Sequence, residues 1–191
     1  EGDEPPRLIR GPGSDALDEL LDVAAAQSPS AWLVHRAPDG VIAEVGCGAG
    51  LTSALLRKRQ VISTDQSLRA VLQAERRARS IPVVADAQAL PFAPRSIDAL
   101  VAENVVDLLD DPDAFFTSAK LALRAKGRLL LSTPEPSLGA PDQDDGVLDA
   151  VAARNGLTMV ESADGLPWLR RNSSRFVEVW LVRACVFGHQ R

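Results

Sequence analysis

Only two cysteines, Cys47 and Cys185, occur among 191 residues, which leaves neither a disulfide framework nor the paired spacing of a metal site. A reducing, cytoplasmic location is the expectation. Long apolar runs are missing as well: stretches such as 41–45 and 129–131 fall far short of the ~20 residues that a membrane-crossing helix needs. The first 13 residues hold Pro, Gly and charge but no basic start followed by an apolar stretch, so a secretory signal is not expected there. They read as a flexible tail before a single domain over 14–191. A basic excess is also absent, since 21 Lys and Arg stand against 26 Asp and Glu for a net charge of -5. That balance disfavours a broad nucleic-acid interface and leaves room only for a local basic patch.

What is present is the composition of a folded globular chain, 46% hydrophobic and 25% charged, with enough length to bury one full core. Ser14 is placed to cap a helix to about Gln27, with Leu17, Leu20, Leu21 and Ala24 at helical spacing. Residues 28–40, with two prolines and a glycine, read as a connection. Strands then alternate with helices. The strands fall at 41–45, 61–64, 81–85, 97–102 and 128–133, and one helix has Leu68, Val71 and Leu72 facing inward and Arg69, Arg76, Arg77 and Arg79 outward. Asp111 caps another helix with Pro112 at its first position and Gly127 just past its end. Strands that are continuously apolar and separated by helices indicate a parallel sheet covered on both faces. The last third changes character, with a helix over about 144–155, a short strand at 157–161 and a longer one at 176–186 that can pair as a hairpin.

The first buried strand runs straight into Gly46-Cys47-Gly48-Ala49-Gly50. Glycines at alternate positions let the backbone turn sharply and approach a ligand without a Cβ in the way. A dinucleotide-binding fingerprint needs a third glycine at position 51, where Leu51 stands, so a nicotinamide or flavin cofactor is not indicated. A plain structural turn remains open for the glycines alone. Polar residues then recur where successive strands end on the same edge of the sheet: Asp65, Asp86, and Glu103 with Asn104. A carboxylate nineteen positions after Gly46 is placed to accept from two ribose hydroxyls, with a helix cap as its alternative. Asp86 is suited to an exocyclic amine, with a solvated loop carboxylate as its alternative.

Together Glu44-Val45-Gly46-Cys47-Gly48-Ala49-Gly50, Asp65, Asp86-Ala87-Gln88-Ala89-Leu90-Pro91-Phe92 and Gly127-Arg128-Leu129-Leu130-Leu131-Ser132-Thr133-Pro134 resemble the class I S-adenosylmethionine-dependent methyltransferases. The likeness covers about residues 40–135. It is nearest to the branch of ubiquinone, menaquinone and other small-molecule methyltransferases. The resemblance implies an α/β, Rossmann-like, mostly parallel seven-stranded sheet in the order 3-2-1-4-5-7-6, with strand 7 antiparallel and helices on both faces.

It further implies that S-adenosylmethionine is the cofactor and S-adenosylhomocysteine the product. Glu44 with the loop Gly46, Cys47, Gly48 and Gly50 would hold the methionine portion, Asp65 the ribose, and Asp86 with the Ala87 backbone the adenine. Gln66 stands where the family often has an apolar residue against the adenine ring, and backbone near Glu103 would take the cofactor amino group. Asp107 stands where the family commonly carries His and is the candidate catalytic residue on the acceptor side. A solvated acid is its alternative.

Cys47 lacks a basic neighbour and reads as a small loop filler, His35 as a surface residue, and Arg57-Lys58-Arg59 as complements to a helix dipole. Trp32 and Trp168 are candidates for an acceptor-site wall, and Leu166–Arg175 reads as a loop suited to an anionic acceptor. A methyltransferase acting on a small-molecule acceptor is the expected function. The alternatives are an inactive scaffold, in keeping with the lack of a large insertion between Ser96 and Asp144, and an enzyme acting on RNA or protein.

Overall fold

The computed structural model describes residues 8–10, 27–134, 147–171 and 176–190. In chain order its elements are β1 (Leu8–Arg10), α1 (Pro29–Arg36), β2 (Val41–Val45), α2 (Leu51–Leu55), β3 (Gln60–Asp65), α3 (Leu68–Ala78) and β4 (Ile81–Val84). They continue with β5 (Ile97–Glu103), α4 (Pro112–Ala122), β6 (Leu123–Pro134), α5 (Val147–Arg154), β7 (Leu157–Arg171) and β8 (Phe176–His189). The expected helix at 14–27 lies mostly outside the described residues.

The sheet order is β4-β3-β2-β5-β6-β8-β7, parallel from β4 to β6, with β8 antiparallel to both of its neighbours. Counted from the strand before the glycine loop, this is the expected 3-2-1-4-5-7-6. The short β1, within the segment read as a tail, adds an antiparallel pairing along the N-terminal part of β8, from Leu8↔Glu178 to Arg10↔Phe176.

Alternating strand positions feed two core layers. Ala43, Val45, Leu100, Ala102, Leu129 and Leu131 face one side, where Phe115 and Phe116 of α4 pack with Phe187 in edge-to-face pairs 5.5 and 5.9 Å apart. Ile42, Ala99, Val101, Leu130 and Ala184 face the other, where Leu33 of α1 is fully buried. Full occupation of both faces explains why these strands read as unbroken apolar runs.

Several local expectations are corrected. Residues 28–40 contain α1, because Ser28 caps Ala31 N–H at 3.1 Å and Pro29 takes the first helical position, where its missing N–H costs nothing. Leu68 is 61% exposed, and Val71, Ala74 and Ala78 form the buried face of α3 instead. Leu68 is the first residue after the cap, on a turn that Asp65 and Ser67 hold at the rim of the sheet. Gly127 does not follow a helix end: α4 stops at Ala122 and the chain passes directly into β6. The extra residues of β6 are absorbed as an irregularity between Leu123, opposite Ile97, and Arg128, opposite Ala99. Residues 166–171 belong to β7, not to a loop, because β8 offers a continuous partner up to Arg171↔Val177.

Candidate functional site

The carboxyl ends of β2, β3, β4, β5 and β6 meet at one edge of the sheet, where open α/β folds bind ligands. At Gly46 the chain leaves β2 and turns back, with Cys47 N–H donating to Thr64 O at 2.9 Å and Gly50 N–H to Cys47 O at 2.8 Å. Two glycines have distinct reasons to be glycine. At Gly50 (φ +74°) an added Cβ would lie 2.5 Å from Ala74 Cα, so the loop sits directly on α3. At Gly48 (φ +47°) an added Cβ would meet nothing within 4 Å among the described residues, which leaves the main chain bare on that side.

Asp65 ties this loop to β3. One carboxylate oxygen accepts from Gly48 N–H at 3.0 Å and the other from Ser67 N–H at 2.8 Å. The cap of α3 is Ser67, whose hydroxyl accepts from Ala70 N–H, so the helix-cap alternative for Asp65 falls away. Gln66 is exposed beside it. Asp86 heads the turn Ala87–Ala89 and accepts from Gln88 N–H at 2.9 Å, while Ala87 is buried beneath.

Glu103, at the end of β5, is fixed by two hydroxyls on one oxygen, Ser30 of α1 at 2.6 Å and Thr52 of α2 at 2.7 Å. The next residue, Asn104, adopts φ +52°. Its N–H donates to Ser132 O and its Oδ1 accepts from the Ser132 hydroxyl, while its buried Nδ2 has no partner among the described residues. Asp107 follows in the turn Val106–Leu108 and accepts from Thr133 Oγ1 at 2.5 Å, across the ends of β5 and β6. Partial removal from water raises its carboxyl above the usual range against the opposing pull of that bond.

Glu44 is 4% exposed and accepts from the Ser53 hydroxyl, which continues through Ser63 to Ser80 as a buried hydrogen-bonded chain. Burial, reinforced by the Glu103 and Asp65 carboxylates, pushes its pKa up to about 7 despite the Ser53 bond. The folded protein therefore holds the Glu44 proton more tightly than the unfolded chain. Below about pH 4.5 both states are protonated and Glu44 adds no pH dependence. Between 4.5 and 7 the unfolded chain loses the proton first, so stability falls by about 3 kcal/mol and stays reduced above pH 7. Urea unfolding from pH 4 to 8 is expected to show this decline, and Glu44→Gln to flatten it. An unchanged profile in Glu44→Gln would mean the carboxyl does not titrate in that range.

The sequence-derived candidates Glu44, Gly46, Cys47, Gly48, Gly50, Asp65, Gln66, Asp86, Ala87, Glu103 and Asp107 thus share one edge. Cys47 is buried, with its thiol pushed up to about 12 by burial and the Glu44 and Asp65 charges, as suits a filler. Trp32 is half-buried against the core layer around Leu33 and Ile42, and the Arg36 guanidinium stacks on its ring at 3.7 Å. Trp168 pairs opposite Trp180 in the β7–β8 ladder. Ser30, Thr52, Ser53 and Thr133 were not legible as site residues, since each hydroxyl finds its carboxylate on a different element.

The model of the family described as Methyltransferase domain matches residues 43–131. A malonyl-[acyl-carrier protein] O-methyltransferase of Xylella fastidiosa is 32% identical over 109 residues, covering 53% of this chain and 37% of that one. The chain spans about two fifths of the length of the curated relatives it matches. Among solved structures, a TehB-like S-adenosylmethionine-dependent methyltransferase from Corynebacterium glutamicum superposes with a TM-score of 0.65 at 23% identity, over 92% of this chain and 97% of that one. A geranyl diphosphate methyltransferase in complex with S-adenosylmethionine superposes with a TM-score of 0.67 at 17% identity, over 92% of each chain.

Proposed function

We propose that this chain is a class I S-adenosylmethionine-dependent methyltransferase that moves a methyl group from that cofactor to a small-molecule acceptor. The observation that carries the reading is the convergence of bare main chain at Gly48 with the carboxylates of Asp65, Asp86 and Glu103 on one sheet edge. These residues fit the cofactor. Asp65 and Asp86 keep unused lone pairs for ribose hydroxyls and an adenine amine, with the Ala87 backbone beside Asp86. Glu103 supplies negative charge for the positively charged methionine end, while Glu44 lies buried below it and is tied to Ser53.

The cofactor supplies an electrophilic methyl group on a positively charged sulfur. The protein's part is orientation, for which up to about 7–11 kcal/mol is available when reacting atoms are held in near-attack geometry. Asp107, anchored by Thr133, is assigned the acceptor side, where its Oδ atoms take a proton from a hydroxyl or carboxyl group or orient the nucleophile.

Calorimetry with S-adenosylhomocysteine, followed by a screen of phenols, quinone precursors, carboxylates and amines for homocysteine-product release, tests the reading. Asp107→Ala is expected to lower kcat at least about tenfold while cofactor affinity stays within a few-fold, because the lost interaction belongs to the transition state. Unchanged turnover would return Asp107 to a structural role, and cofactor binding with no transfer to any acceptor class would favour a scaffold.

A further inference from the structure

Charge on this acidic protein is strongly segregated. Residues 57–79 carry seven Lys and Arg against two Asp and Glu, within a chain whose net charge is -5. Two adjoining depressions lie on this segment. One, of about 590 Å³, is lined by Arg57, Lys58, Arg76, Arg77, Ala78 and Arg79. The other, of about 750 Å³, is lined by Leu68, Arg69, Leu72, Gln73 and Arg76. Arg76 belongs to both, and among the described residues no carboxylate lines either.

Arg69, Gln73 and Arg76 stand at i, i+4 and i+7, one face of α3, whose eleven residues span about 16 Å. The track begins four residues after Asp65, at the rim of the cofactor edge, and runs to the far end of the helix. Arg57, Lys58, Arg69, Arg76, Arg77 and Arg79 are all exposed, and none makes an ion pair or side-chain hydrogen bond among the described residues. Dipole complementation at the end of α3 accounts for Arg76 and Arg77. It does not account for Arg69 at the start of the helix. Arg79, the C-cap of α3, shares the dipole explanation, although its left-handed position (φ 57°) is one that Gly takes with less strain.

We infer that this track is a docking surface for a carboxylate-bearing face of another protein. Charge complementarity sets the sign of the partner, and two further observations set its class. Leu68, 61% exposed, and the half-buried Leu72 lie among the cations, which gives the apolar-plus-Arg composition of a protein interface. No aromatic residue occurs in 57–79, so the surface lacks the stacking platforms with which proteins hold unpaired bases. A footprint of one helix and one loop suits a transient, electrostatically steered complex.

The probes are fluorescein-labelled poly-L-glutamate of about 50 residues and a labelled 20-nucleotide single-stranded RNA, titrated with the full chain in anisotropy measurements at 20 and 200 mM salt. Poly-L-glutamate is expected to bind more tightly than the RNA, to weaken at least tenfold at the higher salt, and to weaken at least tenfold in the double variant R76E/R77E. S-adenosylhomocysteine binding by that variant is expected within twofold of the parent, which shows that the fold persists and keeps this test separate from the cofactor assignment. Tighter binding of the RNA would overturn the proposal in favour of a nucleic-acid surface. Absence of poly-L-glutamate binding at 20 mM salt, or binding indifferent to R76E/R77E, would overturn it outright.

Discussion

Gly50→Ala is expected to destabilise the protein by about 2–5 kcal/mol, the sum of a left-handed backbone forced on an L-residue and an overlap that neither partner can relieve cheaply. The overlap falls on backbone: the new methyl group would lie 2.5 Å from Ala74 Cα and 2.7 Å from Ala74 Cβ. Relief would require α3 to back away from the loop, which would uncover Cys47 and Val71 in the small cluster they form with Ala74. For a chain of this length that loss corresponds to a fall of roughly 5–15 °C in Tm, which calorimetry reads directly. Gly48→Ala provides the contrast, because its Cβ meets no neighbour. It is expected to cost only the backbone strain, about 1–2 kcal/mol, while weakening S-adenosylhomocysteine through the methyl group placed on the open face. A loss below about 1 kcal/mol in Gly50→Ala would mean that loop and helix are not seated against each other as described.

Asp65→Ala should weaken S-adenosylhomocysteine binding at least about 100-fold, since two charge-assisted hydrogen bonds to ribose hydroxyls are each worth about 1.5–3 kcal/mol. Asp65 also accepts from Gly48 and Ser67 N–H groups, and both lie at an exposed rim where water can replace the carboxylate. The fold should therefore survive. Asp65→Asn separates charge from shape: it keeps an acceptor oxygen and is expected to recover part of the affinity. Titration calorimetry at constant pH, with unfolding monitored alongside, checks both variants. Parent-like affinity in Asp65→Ala would remove the ribose assignment and leave the carboxylate as a tether between the loop and β3.

Much of this architecture was legible before any fold was built, and for local reasons. Val41–Val45 and Ile97–Ala102 are short and apolar but for Glu44 and Asp98, and such runs between helices suit a covered parallel strand. Asp111 followed by Pro112 is a helix start whatever surrounds it, as the Asp111 bond to Ala114 N–H shows. The alternate glycines of 46–50 declared a tight loop, and the acid at the end of each following strand declared an edge. Other features were hidden because they depend on residues far apart in the chain. Nothing near Leu166 announces that β7 runs on to Arg171, because that extension exists only by pairing with β8.

The order of influence is clearest at the carboxylates. Asp65, Asp86 and Glu103 stand where strands end and were identifiable on that ground, whereas Glu44 and Asp107 were picked out only through the resemblance to the methyltransferases. Their chemistry was not legible. Glu103 meets Ser30 from 73 residues away and Thr52 from 51, and Asp107 meets Thr133 from 26. Glu44 titrates near neutrality only because the packed sheet removes it from water beside two other carboxylates. The identity of a side chain fixes what it can donate, accept or ionise. Its pKa and its partners are set by solvent exclusion and by distances of a few ångströms, and those exist only once the strands are ordered in space.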